Sequence, residues 1–375
     1  MGFLDFAIIK TFSNLFMMLN IEGYLVGGAV RDILMGIEPM DFDFVCELDE
    51  EEHYSAAEKI AYILKCDFKY NNFYHTAKFF YKGFDVDFVM ARAEKYISAA
   101  SKPIIKSADI IEDLKRRDFT INSIAVSLKN EKFEIIDPFK GIEDIKNKKI
   151  KILHDKSFKD DPTRIFRGIK YASRFDFDFD DETQNSLEEA LQRGYILKLP
   201  KGRIRLEIDG LLNDKNPLLA FEFIKRYNIF ESIVKSNIYI SLEYDEIKFN
   251  GLDFNDKMVL IFYKNKEEVL NKIKDLLCLG ENFIKYSLKI KKLESNLLMS
   301  DFEVYKHLFE ENIKDCLLYS AFDEDLRVQS YLKYKNSIKI EKDFENLPLN
   351  IRKECIASKK ADMIINLLNG GSDYV

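Results

Sequence analysis

Residues Tyr24–Val45 read YLVGGAVRDILMGIEPMDFDFV, and the rest of the chain is interpreted around this stretch. Tyr24-Leu25-Val26 is a short apolar run of strand character. Gly27-Gly28 is a turn without side chains, leading into a short helix that opens with Arg31 and Asp32. Asp41-Phe42-Asp43-Phe44-Val45 then alternates acidic and apolar residues as a strand does. Residues two apart in a strand share a face, so Asp41 and Asp43 project together while Phe42 and Phe44 enter a core. Neighbouring carboxylates repel, and a fold tolerates them most readily with a cation between them. Hard oxygen donors suit Mg²⁺, which takes one or two protein carboxylates and completes its shell with water and substrate phosphates. A Gly-Gly turn before a helix offers backbone N–H groups and a positive dipole end to a phosphate. Each piece alone has a plainer reading, a tight turn or a solvated edge strand. Together they point to nucleotidyl transfer.

The joint pattern GGAVRD followed by DFDF resembles the signature of the class II CCA-adding enzymes and bacterial poly(A) polymerases, within the polymerase-beta nucleotidyltransferase superfamily. Further segments carry the same resemblance. Lys115 to Ser123 includes RRDFTINS, similar to the family's RRDFTINA with Ser123 in place of Ala. VDFVMAR resembles the segment with the third metal-site acid. Asp87 matches that position better than Asp85, and the choice between them stays open. Asp160-Asp161-Pro162-Thr163-Arg164 resembles EDxxR, with Asp160 for the usual Glu and with Arg167 and Lys170 following at helical spacing. Asp137-Pro138 and Leu199–Leu212 resemble two junction segments. The likeness covers roughly residues 21 to 230.

The resemblance implies an α/β nucleotidyltransferase head, a polymerase-beta-like mixed sheet with helices, followed by an elongated all-helical neck, body and tail. The implied units are a catalytic head over 1–150, a neck with base recognition over 151–212, and an RNA-binding body and tail over 213–375. It implies that Asp41, Asp43 and Asp87 hold two Mg²⁺ ions. Gly27, Gly28, Arg31, Asp32 and Arg117 belong to the nucleotide site, and Arg117 clamps the triphosphate through a fork that grips phosphate in two places. Asp118 and Asn122 meet the ribose hydroxyls, with a helix cap as the plainer role for Asp118. Asp161 and Arg164 read the base, Arg167 assists, and Lys170 stands where an arginine is common. The implied reaction adds CMP and AMP, from CTP and ATP, to the 3′ acceptor end of tRNA without a template. Alternatives are an A-adding or CC-adding sister enzyme or a poly(A) polymerase. A non-catalytic RNA-binding relative is the distant one, and the intact DFDF argues against it. Candidate RNA contacts are Lys201, Arg203, Arg205 and Lys285 to Lys292.

Composition fits these expectations without requiring them. The 375 residues carry a net charge of −7, so any nucleic-acid surface is a local patch rather than a global field. Thirty-one Phe and 19 Tyr can fill several cores. Cys46, Cys66, Cys278, Cys316 and Cys355 form no CxxC and read as reduced core residues of a cytoplasmic protein, without zinc. No signal peptide or membrane-spanning run is evident. There is no GxxxxGK[ST] and no GxGxxG, and His154-Asp155 lacks partner histidines for a phosphohydrolase site.

Periodicity predicts an amphipathic helix within Phe3–Leu19, a helix over Glu50–Leu64, and strands over Asp67–Tyr70, Thr76–Tyr81 and Phe84–Met90. His75 reads as a strand residue and Ser98–Lys106 as a mobile polar segment. A strand over Phe133–Ile136 and a connecting helix over Gly141–Ile152 follow. From Ser157 onward only helices are expected, beginning with Pro162–Phe175, Thr183–Arg193, Arg203–Leu212 and Pro217–Tyr227.

Overall fold

A computed structural model describes residues 2–98, 100–129, 133–322, 324–338, 344 and 347–369. The chain forms two compact units, Met1–Leu199 and Pro200–Val375.

In the first unit, apolar residues at helical spacing form α1 (Ala7–Leu19), which buries Ile8, Ile9, Phe12, Leu15 and Phe16 and stops at Asn20 in the left-handed region. Then come β1 (Gly23–Val26), α2 (Gly28–Leu34), β2 (Asp41–Cys46) and α3 (Glu50–Leu64). An Asp49–Glu52 capping box fixes the start of α3, which matches the expected helix at both ends. The strands β3 (Phe68–Asn71), β4 (Thr76–Tyr81) and β5 (Phe84–Met90) also lie where alternation puts them. Next are β6 (Arg92–Lys95), β7 (Ile104–Ser107), α4 (Ile110–Lys115), β8 (Ala125–Ser127), β9 (Ile135–Ile136) and α5 (Gly141–Lys146). β10 (Lys149–Ile150), α6 (Ser157–Asp160), α7 (Thr163–Phe175), β11 (Asp178–Phe179) and α8 (Asp181–Gln192) complete the unit.

Seven strands form one mixed sheet in the order β3-β4-β5-β2-β1-β8-β9. All its ladders are antiparallel except β2–β5, which is parallel. The DFDF alternation resolves as expected: Phe42 and Phe44 are fully buried. Phe12 of α1 stacks on Phe44 at 4.2 Å between ring centroids, so α1 covers the sheet face opposite the acids. Burial of each such ring contributes roughly 1.5–3 kcal/mol.

Four expectations need correction. His75 sits in the turn before β4 with φ 47°, outside the strand. Ser98–Lys106 is not a mobile run throughout, because Ile104–Ser107 pairs antiparallel with β6; Ala99 lies outside the described residues. This hairpin shows no apolar period because its anchors are ion pairs, Arg92–Glu94 at 3.0 Å and Arg116–Glu94 at 3.0 Å. The helix after Gly141 ends at Lys146, and short strands β10 and β11 pair in parallel within the stretch expected to be helical. Of the cysteines only Cys46 is buried, while Cys278 and Cys316 are exposed.

The second unit is helical among its described residues. It comprises α9 (Lys201–Leu212), α10 (Pro217–Arg226), α11 (Ile229–Val234), α12 (Glu246–Asn250), α13 (Phe254–Phe262) and α14 (Glu267–Leu277). α15 (Glu281–Asn296), α16 (Asp301–Glu311), α17 (Asp315–Ala321), α18 (Leu326–Tyr334) and α19 (Leu349–Leu368) follow. Several RNA-contact candidates make bonds that hold these helices together. Arg205 Nη1 donates to the Leu277 and Cys278 carbonyls at 2.6 and 2.9 Å, capping the end of α14. Lys291 Nζ donates to the Lys264 and Asn265 carbonyls at 3.0 Å each, and Lys292 pairs with Glu311 at 3.2 Å. Lys201, Arg203 and Lys285 remain exposed. No helix among the described residues is long and apolar enough to cross a membrane.

Candidate active site

The parallel β2–β5 ladder sets Asp41 level with Asp85 and Asp43 level with Asp87. Level residues on neighbouring strands point to the same face, so the four acids share one side of the sheet. Asp41 and Asp85 are exposed at the strand starts, whereas Asp43 and Asp87 are half-buried. Burial pushes the Asp43 carboxyl up to about 6; Arg117 pulls it down, and Asp87 and Asp41 push it further up. Asp87 is also raised, mainly by burial, against the pull of Lys78. Lys78 lies directly across on β4, with Nζ 3.5 Å from Asp87 Oδ1. That buried oxygen has this long ion pair but no hydrogen bond among the described residues. Two raised carboxyls, one with an oxygen held only by a long ion pair, form an all-oxygen donor set that a divalent cation fits. Among the described residues no three or more His, Cys, Asp or Glu side chains stand at metal-binding spacing.

Gly27 adjoins these acids. It has φ 71° and ψ −131°, a region that L side chains rarely adopt. Its N–H donates to the Ile124 carbonyl at 3.2 Å. A Cβ on Gly27 would stand 2.8 Å from Arg117 Nη1 and 3.6 Å from Asp43 Oδ2. The bare glycine therefore makes room for a guanidinium beside the acids. Arg117 is held from behind, its Nε and Nη2 donating to Asp113 Oδ2 at 3.3 and 2.9 Å.

Asp118 is buried and accepts from the Phe119 N–H at 2.9 Å, Asn122 Nδ2 at 3.0 Å and Arg167 Nε at 2.8 Å. Asn122 Oδ1 in turn accepts from Arg31 Nη1. Arg31 is buried, donates to Asp32 at 2.8 Å, and lies 5.2 and 4.7 Å from the ring centroids of Tyr171 and Phe175. A chain of charge-assisted bonds thus runs Arg31–Asn122–Asp118–Arg167 and ties α2 to α7.

Burial alone would push the Asp118 carboxyl up, but Arg167, Asn122 and Arg164 outweigh it and hold it below the usual range. A depressed folded value gives stability that is present above the unfolded carboxylate range, near pH 4. It is lost as pH falls through the folded value. Asp118→Asn is therefore expected to cost about 1–3 kcal/mol at pH 7, the lower range applying because half-exposed Arg167 can turn to water. The gap between denaturant melts of the two proteins should be full at pH 7 and begin to narrow only as pH falls below about 4; a gap that already closes between pH 7 and pH 5 contradicts the ion-pair account.

Just before α7, Asp161 Oδ1 accepts from Thr163 N at 3.0 Å and Thr163 Oγ1 at 2.6 Å, satisfying the first N–H of the helix. Arg164 is buried, donating to Ser157 Oγ at 2.8 Å and to the Arg116 carbonyl at 2.9 Å. Lys170 is half-buried on the same helix. The sequence reading passed over Asp113, Glu94 and the Tyr171–Phe175 pair. Asp113 carried a local signal, because i+3 and i+4 spacing aims Arg116 and Arg117 back at it. The aromatic pair carried none, since it meets Arg31 from far along the chain.

Residues 23–151 match the poly A polymerase head domain family. An A-adding tRNA nucleotidyltransferase of Aquifex aeolicus is 33% identical over 295 residues, 78% of this chain and 33% of that protein. A CCA-adding enzyme of Francisella tularensis is 29% identical over 336 residues, 84% of this chain and 86% of its own. A solved structure of a CCA-adding enzyme with ATP superposes with TM-score 0.71 at 26% identity, covering 96% of this chain and 94% of the other. Residues 23–151 thus carry a poly A polymerase head domain, and the chain is similar along most of its length to A-adding and CCA-adding tRNA nucleotidyltransferases. It spans 23% to 53% of the length of three A-adding relatives that it matches. The family match begins at β1 and runs past β10. The acid edge, the Gly27 turn and the Arg31–Asn122–Asp118 part of the network fall inside that matched head, whereas Arg167 lies beyond it.

Proposed function

We propose that this chain is a template-independent nucleotidyltransferase that adds CMP and AMP to the 3′ end of tRNA, building a CCA terminus. The observation that carries the proposal is the Asp43–Asp87 pairing, with a buried oxygen that makes no hydrogen bond among the described residues, next to an arginine laid over a bare glycine turn. In this reading Asp41, Asp43 and Asp87 hold two Mg²⁺ ions. When bound, the metal would lower the pKa of the attacking 3′-hydroxyl and offset charge on the leaving pyrophosphate. Arg117 Nη1 and the Gly28 turn receive the triphosphate, and Arg31 and Asp32 brace the turn from beneath. Asp118 and Asn122 line the ribose position, with Arg167 fixing Asp118. Asp161 and Arg164 select the base, and Lys170 adds a single-point charge. The 3′-oxygen bonds to the α-phosphorus as the α–β bridge breaks, releasing pyrophosphate. CTP and ATP are the substrates, the tRNA acceptor end is the partner, and the cytoplasm is the site of action.

A narrower output, AMP alone, is the second reading. It is favoured by three relatives at 32–36% identity that bear the A-adding name. One assay separates the readings. Purified protein with Mg²⁺ is given tRNA lacking CCA, or tRNA ending in CC, with each labelled nucleotide singly. CMP on the first and AMP on the second supports CCA addition; AMP on the second alone supports the narrower enzyme. No incorporation on either overturns the enzyme reading.

The same assay tests the third acid. Asp87→Asn is expected to lose activity by a hundredfold or more, and Asp85→Asn to stay within a few-fold of the parent. Equal loss in both would remove Asp87 from the metal site.

A further inference from the structure

We propose that Asp113 is a positioning residue for the triphosphate: it immobilises Arg117 so that Nη1 alone is presented above Gly27 and beside Asp43. The inference rests on the nucleotidyltransferase reading and deepens it.

Asp113 is completely buried, and its two oxygens are divided between consecutive arginines. Oδ1 accepts from Arg116 Nε at 3.0 Å and Nη2 at 2.7 Å, while Oδ2 accepts from Arg117 Nε at 3.3 Å and Nη2 at 2.9 Å. Oδ1 also takes the Arg92 N–H at 3.3 Å, which ties the carboxylate to β6. An arginine has five donor protons in a rigid fork, so tying down one edge fixes where the other points. In Arg117 the tied edge is Nε–Nη2. The remaining nitrogen, Nη1, has no hydrogen-bond partner among the described residues. It lies 2.8 Å from where a Gly27 Cβ would stand, with Asp43 Oδ2 3.6 Å from the same point.

The charges agree with this geometry. Burial would push Asp113 up, but Arg116 and Arg117 outweigh it and keep the carboxyl below its usual range. Asp113 is thus an anion at neutral pH. Arg116 shares its Nε–H between Asp113 and the Arg92 carbonyl and gives Nη1 to Glu94, so all three of its nitrogens are engaged and Arg117 is the one of the two with a nitrogen left for a ligand. A pre-fixed donor loses little freedom when phosphate arrives, whereas an untethered arginine must be ordered at that moment.

The test compares CTP with CMP in equilibrium binding to the full chain, with Mg²⁺ and no tRNA. Asp113→Asn is expected to weaken CTP about tenfold and CMP less than twofold. Arg117→Ala should do the same, and the double variant should bind CTP no more weakly than Arg117→Ala alone. Asp113→Glu keeps the buried charge but moves it by one methylene. It is expected to melt close to the parent while still binding CTP several-fold more weakly. This variant carries the comparison if Asp113→Asn does not fold. Equal weakening of CTP and CMP, full additivity with Arg117→Ala, or parent-like CTP binding by Asp113→Glu overturns the proposal. A parent that binds neither CTP nor ATP overturns it together with the function. A parent that binds CTP yet transfers nothing to tRNA overturns the function alone.

Discussion

Asp43→Ala is expected to lower nucleotide transfer by roughly a thousandfold or more, about 4 kcal/mol of transition-state stabilisation, while the protein stays folded. Asp43 lies between Asp41 on its own strand and Asp87 on the next, so its loss separates the remaining acids. The isosteric Asp43→Asn adds a second readout in metal-free buffer. The folded carboxyl titrates at about 6, above its unfolded value near 3.9, so its ionised form is the one that the fold disfavours. Below about pH 4 it is protonated in both states and contributes no penalty. Above pH 6 the full penalty applies. Asp43→Asn should therefore be more stable than the parent by roughly 1–3 kcal/mol at pH 7–8, with the gain fading toward pH 4. Mg²⁺ should raise the melting temperature of the parent and leave Asp43→Asn nearly unchanged, since only a site that binds the folded state stabilises it. Near-normal turnover in Asp43→Ala, or an equal Mg²⁺ shift in both proteins, would end the metal-site reading.

The second large effect is on nucleotide choice. Asp161 Oδ1 is taken by Thr163, which leaves Oδ2 as the acceptor available to a base. Arg164 uses two of its donor protons on Ser157 and the Arg116 carbonyl and retains others. Cytosine and adenine each offer an amino group as donor beside a ring nitrogen acceptor. Uracil and guanine put a carbonyl where that amino group stands, setting oxygen against carboxylate. An unpaired, desolvated carboxylate oxygen costs about 1–3 kcal/mol or more. Asp161→Asn keeps the Oδ1 cap and exchanges Oδ2 for an N–H donor, so α7 should start unchanged. Incorporation of UTP relative to CTP is expected to rise about 10- to 100-fold, read in competition assays with equal nucleotide concentrations. Exchanging Asp161 and Arg164 outright is a poorer experiment, because a carboxylate at 164 would be buried against the Arg116 carbonyl. An active Asp161→Asn protein with unchanged preference returns Asp161 to helix capping alone.

The legibility of these parts follows the range of the forces that build them. β2, β4, β5 and α3 were readable because burial repeats at period 2 or 3.6 within each segment. The β6–β7 hairpin was not, since Glu94, Arg92 and Arg116 hold it with charges that carry no period. The family motifs marked residues that the fold gathers around Gly27, yet they did not separate braces from contacts. Arg31 has the charge of a phosphate ligand but is closed in by Asp32, Asn122, Tyr171 and Phe175. Arg117 has the same chemistry and keeps one nitrogen open. Only tertiary partners distinguish the two, and those come from positions that no local pattern connects.

The single parallel ladder in the large sheet also sets a timetable. Antiparallel neighbours such as β4 and β5 can zip from a short turn, but Asp43 and Asp87 meet only after residues 47–83 have formed α3 and the β3–β4 strands and brought β5 back alongside β2. Contacts of such sequence separation incur their loop-closure entropy before they stabilise anything, so they form late and slowly. During synthesis at about 5–20 residues per second, the acids stay apart for seconds after β2 leaves the ribosome. A nascent chain halted before Phe84 carries DFDF and no second strand to answer it. Acquisition of Mg²⁺-dependent stability during refolding would therefore clock the closing of this crossover, separately from the collapse of the phenylalanine core beneath it.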